Sequence, residues 1–356
     1  MVSASPPARP AKRRIIRHSL LANMFILGVI LAVQLSGLWS WAAMVDDSSF
    51  VLPQTVLLTD VHGGELRRIY MDKDRLELTD DAFSPFLQQA VVAIEDERFF
   101  ERGCVDLRAI VRAAVANVSP TELQGASTIT QQLVGNLLLD RSNRSLSRKA
   151  MELLLACRLE HVASRQRILG LYLNHMAFGG TIYGAEEASR TYFGVSARDL
   201  TLSQSVVLAA MLQRPTYFSP YGTHVHTSIA RDTARAIREG GIGSAEELPP
   251  DSVTIGLLGS HFLTATGSVY VRGRADLVLE AMRRSGFIDA LQQAAAEREL
   301  LSVRFEERPI AVALPYFALY VQQQLRNGDV RTDKPCDALV GGCIVRTTLD
   351  PQLQSL

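Results

Sequence analysis

Four short segments carry residue types that could move protons or hold anions. In Ala90–Asp106, a run of small apolar residues delivers Glu95 and Asp96 directly into the pair Phe99-Phe100. A carboxylate at the edge of an apolar surface holds its proton more tightly than one in water, which suits Glu95 to general-base work near neutral pH. Gln124–Gln132 places a flexible Gly125 and the hydroxyls of Ser127 and Thr128 at a helix start, where free backbone amides and side-chain donors can hold an anion or a sugar. Arg148-Lys149-Ala150-Met151-Glu152 sets Arg148 and Glu152 one helical turn apart, with Arg141 and Arg144 just upstream. Together with Glu95, this supplies a second carboxylate beside a basic cluster able to face a diphosphate. Leu171–Gly184 is an apolar helix ending in a Gly-rich turn. Each segment alone has an ordinary reading: a solvated acidic pair, a capped helix, a surface ion pair, a packing element.

The elements that must position these residues are mostly helical. Ser84-Pro85 offers an N-cap followed by proline at the first helical position. Helical spacing recurs over Leu107–Val118, Thr128–Leu139, Leu146–His161, Gln166–Asn174, Leu202–Leu212, Arg274–Gly286 and Leu314–Leu325. Before them, Thr55–Asp60 and Glu65–Tyr70 flank Val61-His62-Gly63-Gly64, a hairpin signal. Gly222–Gly273 contains Gly240-Gly241 and Pro249-Pro250 and reads as a loop-rich insertion with one short helix at Ser228–Glu239. Gly342–Leu349 reads as a strand with no evident partner.

The 356 residues carry 37 Lys+Arg against 37 Asp+Glu, so no diffuse basic field points to nucleic acid, and 47% hydrophobic residues suffice for a core. Between Arg17 and Asp46 there is no charged residue, and Leu20–Val45 is apolar with Trp39 and Trp41 near its far end. About 20 apolar residues cross a bilayer. Arg9, Lys12, Arg13, Arg14 and Arg17 precede the stretch, so the positive-inside rule keeps them cytoplasmic and sends the residues after Val45 to the other side. The run is longer than the apolar part of a usual signal peptide, which favours an uncleaved anchor. Of the four cysteines, Cys336 and Cys343 could close a small disulfide loop, and Cys157, among apolar neighbours, reads as a buried thiol. No Cys/His spacing reads as a zinc site, and His224 and His226 read as loop histidines.

In order and spacing, the four segments resemble the peptidoglycan glycosyltransferases of family 51, found as monofunctional enzymes and as the first domain of class A penicillin-binding proteins. The resemblance spans roughly Val56–Asp289 and rests on Glu-Asp-x-x-Phe at Glu95–Phe99, Gly-Ala-Ser-Thr-Ile-Thr-Gln-Gln at Gly125–Gln132, Arg-Lys-x-x-Glu at Arg148–Glu152, and Tyr-Leu-Asn…Phe-Gly…Tyr-Gly from Tyr172 to Gly184. It implies a mainly α, lysozyme-like glycosyltransferase domain (84–300, with 222–273 inserted), behind a basic tail (1–17), a transmembrane anchor (18–45) and a small β stalk (46–83). The tail 301–356 resembles the bridge to a transpeptidase domain.

The implied activity is inverting polymerisation of lipid II into β-1,4-linked glycan strands on the outer side of the bacterial inner membrane. Glu95 would be the base that deprotonates the acceptor 4-hydroxyl. Arg148 and Lys149 would offset charge on the departing diphosphate, and Glu152 would hold that basic group or a divalent metal, Mg or Mn. Asp96, Ser127, Thr128, Gln132 and Asn174 would line the cleft, with Phe99 beneath it. The implied partners are lipid II, the lipid-linked growing strand, the membrane and a separate transpeptidase or cell-wall synthesis complex.

Four positions depart from the family pattern: Arg102 for the usual His, Cys104 for Gly, Gly135 for a Lys that contacts the diphosphate, and Gly170 for Glu. Neither Ser-x-x-Lys nor Lys-Thr-Gly occurs, so acyl transfer is not expected. A truncated bifunctional protein and a variant reduced to its polymerase half both fit. A fold-retaining binder of lipid-linked glycan, and more distantly a lytic hydrolase, stand as the other readings.

Overall fold

A computed structural model describes residues 55–69, 74–104, 127–140, 145–264, 267–307, 315–327 and 343–350. The expected anchor at 18–45 and the expected helix at Leu107–Val118 lie outside these residues. Among those described, no helix is long and apolar enough to cross a membrane.

In chain order the elements are β1 (Val56–Thr59), β2 (Glu65–Ile69), β3 (Asp74–Arg75), α1 (Pro85–Glu95), α2 (Ile129–Leu137), α3 (Leu146–Val162), α4 (Arg165–His175), β4 (Ile182–Tyr183), α5 (Ala185–Phe193), α6 (Leu202–Met211), β5 (Ser228–Ile229), α7 (Arg231–Arg238), β6 (Val253–Thr254), β7 (Ser260–Leu263), β8 (Ser268–Val271), α8 (Arg274–Arg284), α9 (Ala290–Leu300), α10 (Pro315–Asn327) and β9 (Ile344–Arg346). The body is mainly helical.

At its centre lies α6, apolar on every side and buried from Ser205 to Met211; such a helix is stable only when packed all round. Against it rests α1, through Leu87, Ala90, Val91, Val92 and Ala93, and α8 packs on both. Small residues along α1 let these helices approach closely, and burial of its apolar face is worth roughly 1.5–3 kcal/mol for each large side chain. Pro85 opens α1, but Ser84 makes no side-chain cap; its hydroxyl donates instead to the carbonyl of Leu200 at 3.0 Å. A second group, α2 with α3 and α4, leans on the same core.

Sequence reading missed α5 and α9, whose apolar periodicity is weak. It also missed that the 222–273 region is ordered by its own small cluster of Ile237, Leu248, Val269 and Val271, around α7 and the antiparallel pairs β5–β6 and β7–β8. The strand without an evident partner has one: β9 adds in parallel to β1, giving the order β2-β1-β9. Val56, Leu58 and Val345 of this sheet pack on Val321 and Leu325 of α10. The N-terminal hairpin and the tail thus form one small module, and are not a stalk and a separate linker.

Cys157 is not a free thiol. It is bonded to Cys104, with Cα atoms 4.8 Å apart, closing 53 residues of chain. The pairing was invisible locally because the turn after Phe99 brings Cys104 onto α3 only in the folded chain. Cys343 is also disulfide-bonded, with a partner outside the described residues. In the chain-entropy account, a loop of this length stabilises the fold by about 4 kcal/mol. Replacing Cys104 and Cys157 together by serine is expected to lower the Tm to the value the parent shows after reduction, measured by thermal unfolding with and without reductant; equal Tm values for parent and variant without reductant would mean the bond does not form.

Candidate active site

Glu95 is the last residue of α1, so its carboxylate sits at the negative end of a helix and against the core. Burial raises its affinity for a proton; a hydrogen bond from Gln132 and the positive charge of Arg274 pull it back, and Asp96 pushes the same way as burial. Nε2 of Gln132 donates to Oε2 of Glu95 at 2.8 Å, while Oε1 of Gln132 accepts from the Tyr172 hydroxyl at 2.9 Å. Gln132 is therefore fixed at both ends, and one Glu95 oxygen is left without a hydrogen bond among the described residues. The Tyr172 phenol is fully buried, and burial together with the charges of Glu95 and Asp96 holds it well above its usual pKa, so it stays a donor.

Asp96 is turned away from the cleft. Arg102 meets it with two nitrogens, Nε at 3.1 Å and Nη2 at 2.6 Å, and the amide of Ile129 at the start of α2 adds 3.2 Å to Oδ2. The same guanidinium reaches Glu160 on α3 at 3.1 Å; Glu160 also takes Arg165 at 2.6 Å and the Thr130 hydroxyl at 2.6 Å. The side chains of Asp96, Arg102 and Glu160 are 7%, 4% and 4% exposed. Burial alone would loosen the Arg102 proton, but the hydrogen bond and charge of Asp96, then Glu160, raise its pKa instead. Phe99 is completely buried, with the guanidinium centres of Arg165 and Arg102 5.3 Å and 5.9 Å from its ring centre. The Arg at position 102 thus serves the frame and is not a cation offered to a substrate.

A cavity of about 530 Å³ opens beside Gln132, lined among others by Ser127, Gly135, Arg148, Lys149, Glu152 and Gln213. Glu152 is buried; its Oε2 takes Arg148 at 3.3 Å and its Oε1 takes Lys149 at 2.5 Å. All three Arg148 nitrogens are engaged, Nε on the Asp140 carbonyl at 2.9 Å and Nη2 on the Gly135 carbonyl at 3.1 Å. Lys149 also donates to Ser127 at 2.8 Å, and its side chain is half exposed, so it can swing toward an anion. At Gly135 a Cβ would lie 3.2 Å from the Glu152 carboxyl carbon: the missing side chain is the space into which the Arg148–Glu152 pair settles.

Thr128 caps α2 in a reciprocal box with Gln131 and does not line the cavity. Asn174 is buried and spends its amide on the backbone of Leu78, accepting at 3.0 Å and donating at 2.9 Å. Gly184, at φ 83°, ends the turn after α4 where a Cβ would strike the Asn174 carbonyl. At Gly170 a Cβ would run into the carboxylate of Asp80, so a carboxylate from outside the helix occupies that place, held by Arg167 at 2.9 Å. Sequence reading missed Gln131, Asn136 and Gln213 of the lining, whose polar types carry no local signal, and Tyr172, which sits inside a quoted motif but shows its role only through Gln132.

The donors present do not make a divalent-metal site: the one carboxylate lining the cavity has both oxygens on cations, and no group of three His, Cys, Asp or Glu able to hold a metal exists among the described residues.

A buried base candidate hydrogen-bonded into a cleft, with a carboxylate–cation cluster on the other wall, defines a group-transfer site with an anionic leaving group. Residues 62–239 match the model of the transglycosylase family, half of the chain, and the chain belongs to that family. It is 30% identical over 313 residues to penicillin-binding protein 1F of Bacillus subtilis, covering 87% of this chain and 37% of that protein. It is 43% identical over 162 residues to the biosynthetic peptidoglycan transglycosylase of Bordetella avium, covering 44% and 64%. The crystal structure of penicillin-binding protein 1A from Haemophilus influenzae aligns over 85% of this chain and 28% of that one, with 17% identity and a TM-score of 0.39. The chain thus spans about a third to two thirds of the length of these two curated relatives.

Removing the Arg102 guanidinium leaves two buried carboxylates short of a partner, so Arg102→Met is expected to cost about 3–5 kcal/mol in denaturant unfolding. Glu95→Gln is expected to act the other way. The native state binds the Glu95 proton more tightly than the unfolded chain, so stability falls as pH rises from the ordinary value of 4.5 through the raised native one. The variant's Tm is expected to exceed the parent's at about pH 7.5 and to converge with it toward about pH 4.

Proposed function

We propose that the protein is a membrane-anchored peptidoglycan glycosyltransferase that polymerises lipid II and releases undecaprenyl diphosphate. The observation that carries this reading is Glu95, buried beside the cleft and aimed by the fixed side chain of Gln132. Its free oxygen takes the proton of the acceptor 4-hydroxyl as that oxygen bonds to the anomeric carbon of the growing strand. The bond from that carbon to the diphosphate breaks, its electron pair leaves with the diphosphate, and the attack from the opposite face inverts the centre. Lys149 turns from Ser127 to the developing charge, while Arg148 and Glu152 hold the helix face from which it works. Base catalysis of this kind contributes about 10²–10⁴-fold. The uncharged stretch 18–45 supports an anchor in the inner membrane with the catalytic body outside, where substrate and product lipids share one bilayer.

A second reading, a binder that holds lipid-linked glycan without extending it, draws on Gly135 and the full engagement of Arg148, which leave Lys149 as the mobile cation of the described lining. One assay separates the two: purified, detergent-solubilised protein with labelled lipid-linked disaccharide-pentapeptide. Ladder products are expected, reduced about 10²–10⁴-fold in Glu95→Gln and more modestly in Lys149→Gln. Substrate that binds without any ladder would favour the second reading.

A further inference from the structure

We propose that Arg274 is the charge partner of Glu95, a positioning residue that holds the base as a carboxylate aimed at the acceptor. The inference rests on the reading of Glu95 as the base. Arg274 is the first residue of α8, the helix that packs directly on α1, whose last residue is Glu95. Its place is set by backbone contacts. The amide of Arg274 donates to the Gly256 carbonyl at 2.8 Å, that of Ala275 to the Leu257 carbonyl at 2.9 Å. A Cβ at Gly273 would strike the Leu258 carbonyl carbon, so glycine is what lets the helix start so close to that segment.

The guanidinium is poorly accounted for by anything else. Its Nε is buried with no hydrogen-bond partner, and no ion pair joins Arg274 to a carboxylate among the described residues. Its neighbours on and beside α8 are accounted for: Arg272 holds Glu280 at 2.7 Å, Arg284 approaches Glu97 at 3.9 Å, and Asp276 takes the Tyr270 hydroxyl at 3.0 Å and the Gly273 amide at 2.7 Å. Burying a cation without a partner is costly, and burial does lower the Arg274 pKa, with the charge of Glu95 opposing the fall. The two groups are thus desolvated together, each stabilised by the other across a gap wider than an ion pair, and the free Glu95 oxygen is the one a hydroxyl-bearing ligand would meet.

The other groups around Glu95 cannot take this part. From the same segment Asp96 is negative and already spent on Arg102. From α4 Tyr172 is a neutral donor to Gln132, from α2 Gln132 is uncharged, and α6 carries no charged residue. From α3, Arg148 and Lys149 are held by Glu152. Arg274 is the cation that acts on Glu95.

The test has two independent readouts on the full chain. In the pH profile of kcat/KM for polymerisation, Arg274→Gln is expected to move the acid limb upward by about one unit, so that the rate below the limb falls about tenfold, and Arg274→Lys is expected to restore it. An unmoved limb in Arg274→Gln, or a loss of rate equal at all pH values and not rescued by lysine, would overturn the proposal. The second readout needs no activity: a double-mutant cycle by thermal unfolding at about pH 7.5 over Arg274→Gln and Glu95→Gln. Glu95→Gln is expected to raise the Tm more in the Arg274→Gln background than in the parent, because the carboxylate there has lost its counter-charge. Additive shifts would overturn the inference, whereas full polymerisation by Glu95→Gln would overturn the reading of the base and leave the cycle intact. If Arg274→Gln does not fold, Arg274→Met completes the same cycle.

Discussion

Keeping a carboxylate at the dry end of an apolar helix is the constraint around which this molecule is arranged. Nothing about α1 favours an anion: its carbonyl end points at Glu95 and its neighbours are Val, Ala and Phe. A charge there survives only if its surroundings answer it without filling the cleft. The answer is distributed over three elements. Gln132 of α2 takes one oxygen, Tyr172 of α4 holds Gln132, and α8 brings a guanidinium that stops short of contact. An ordinary ion pair would have neutralised Glu95 and closed the site. What is built instead is a partial compensation, which keeps the group poised to exchange a proton.

The frame that fixes this geometry is itself ionic and buried. Asp96, Arg102, Glu160 and Arg165 alternate in sign and are tied to Phe99, to the start of α2 and to each other. Such a network is stable only when every member is matched. It explains why the residue next to the base is not itself a ligand: both oxygens of Asp96 are consumed in joining the end of α1 to α3. The Cys104–Cys157 bond lies on the same seam. Two of the departures from the family pattern, Arg102 and Cys104, therefore act together to fasten the segment that carries Glu95 to the helix that carries Glu152.

Residues whose function is local were legible from spacing alone. Arg148 and Glu152 share a helix face, Gln132 follows a helix start, and Glu95 follows an apolar run, so their cooperation could be read before any contact was known. Roles that depend on what another part of the chain does were not legible. Asn174 belongs to the right motif but serves the backbone of Leu78, and Thr128 serves its own helix. Gly135 and Gly170 stand out only as missing side chains; the structure shows what fills each space, the Arg148–Glu152 pair in one case and Asp80 in the other. Arg274 lies in no motif, and its meaning comes from the packing of two helices far apart in sequence.

The parallel pairing of β9 with β1 has a consequence for how the chain is made. Thr59 and Thr347 meet across 288 residues. During synthesis the hairpin of β1 and β2 emerges first and the strand that completes its sheet emerges almost last, an interval of roughly 15–60 s at ordinary elongation rates. Throughout that interval the outer edge of β1 offers unpaired amides and carbonyls to any other strand nearby. Leu57, whose amide finally donates to the Cys343 carbonyl at 3.1 Å, waits for the helical body to fold before its partner exists. Closure of this sheet thus reports that the whole catalytic body has been translated and has folded.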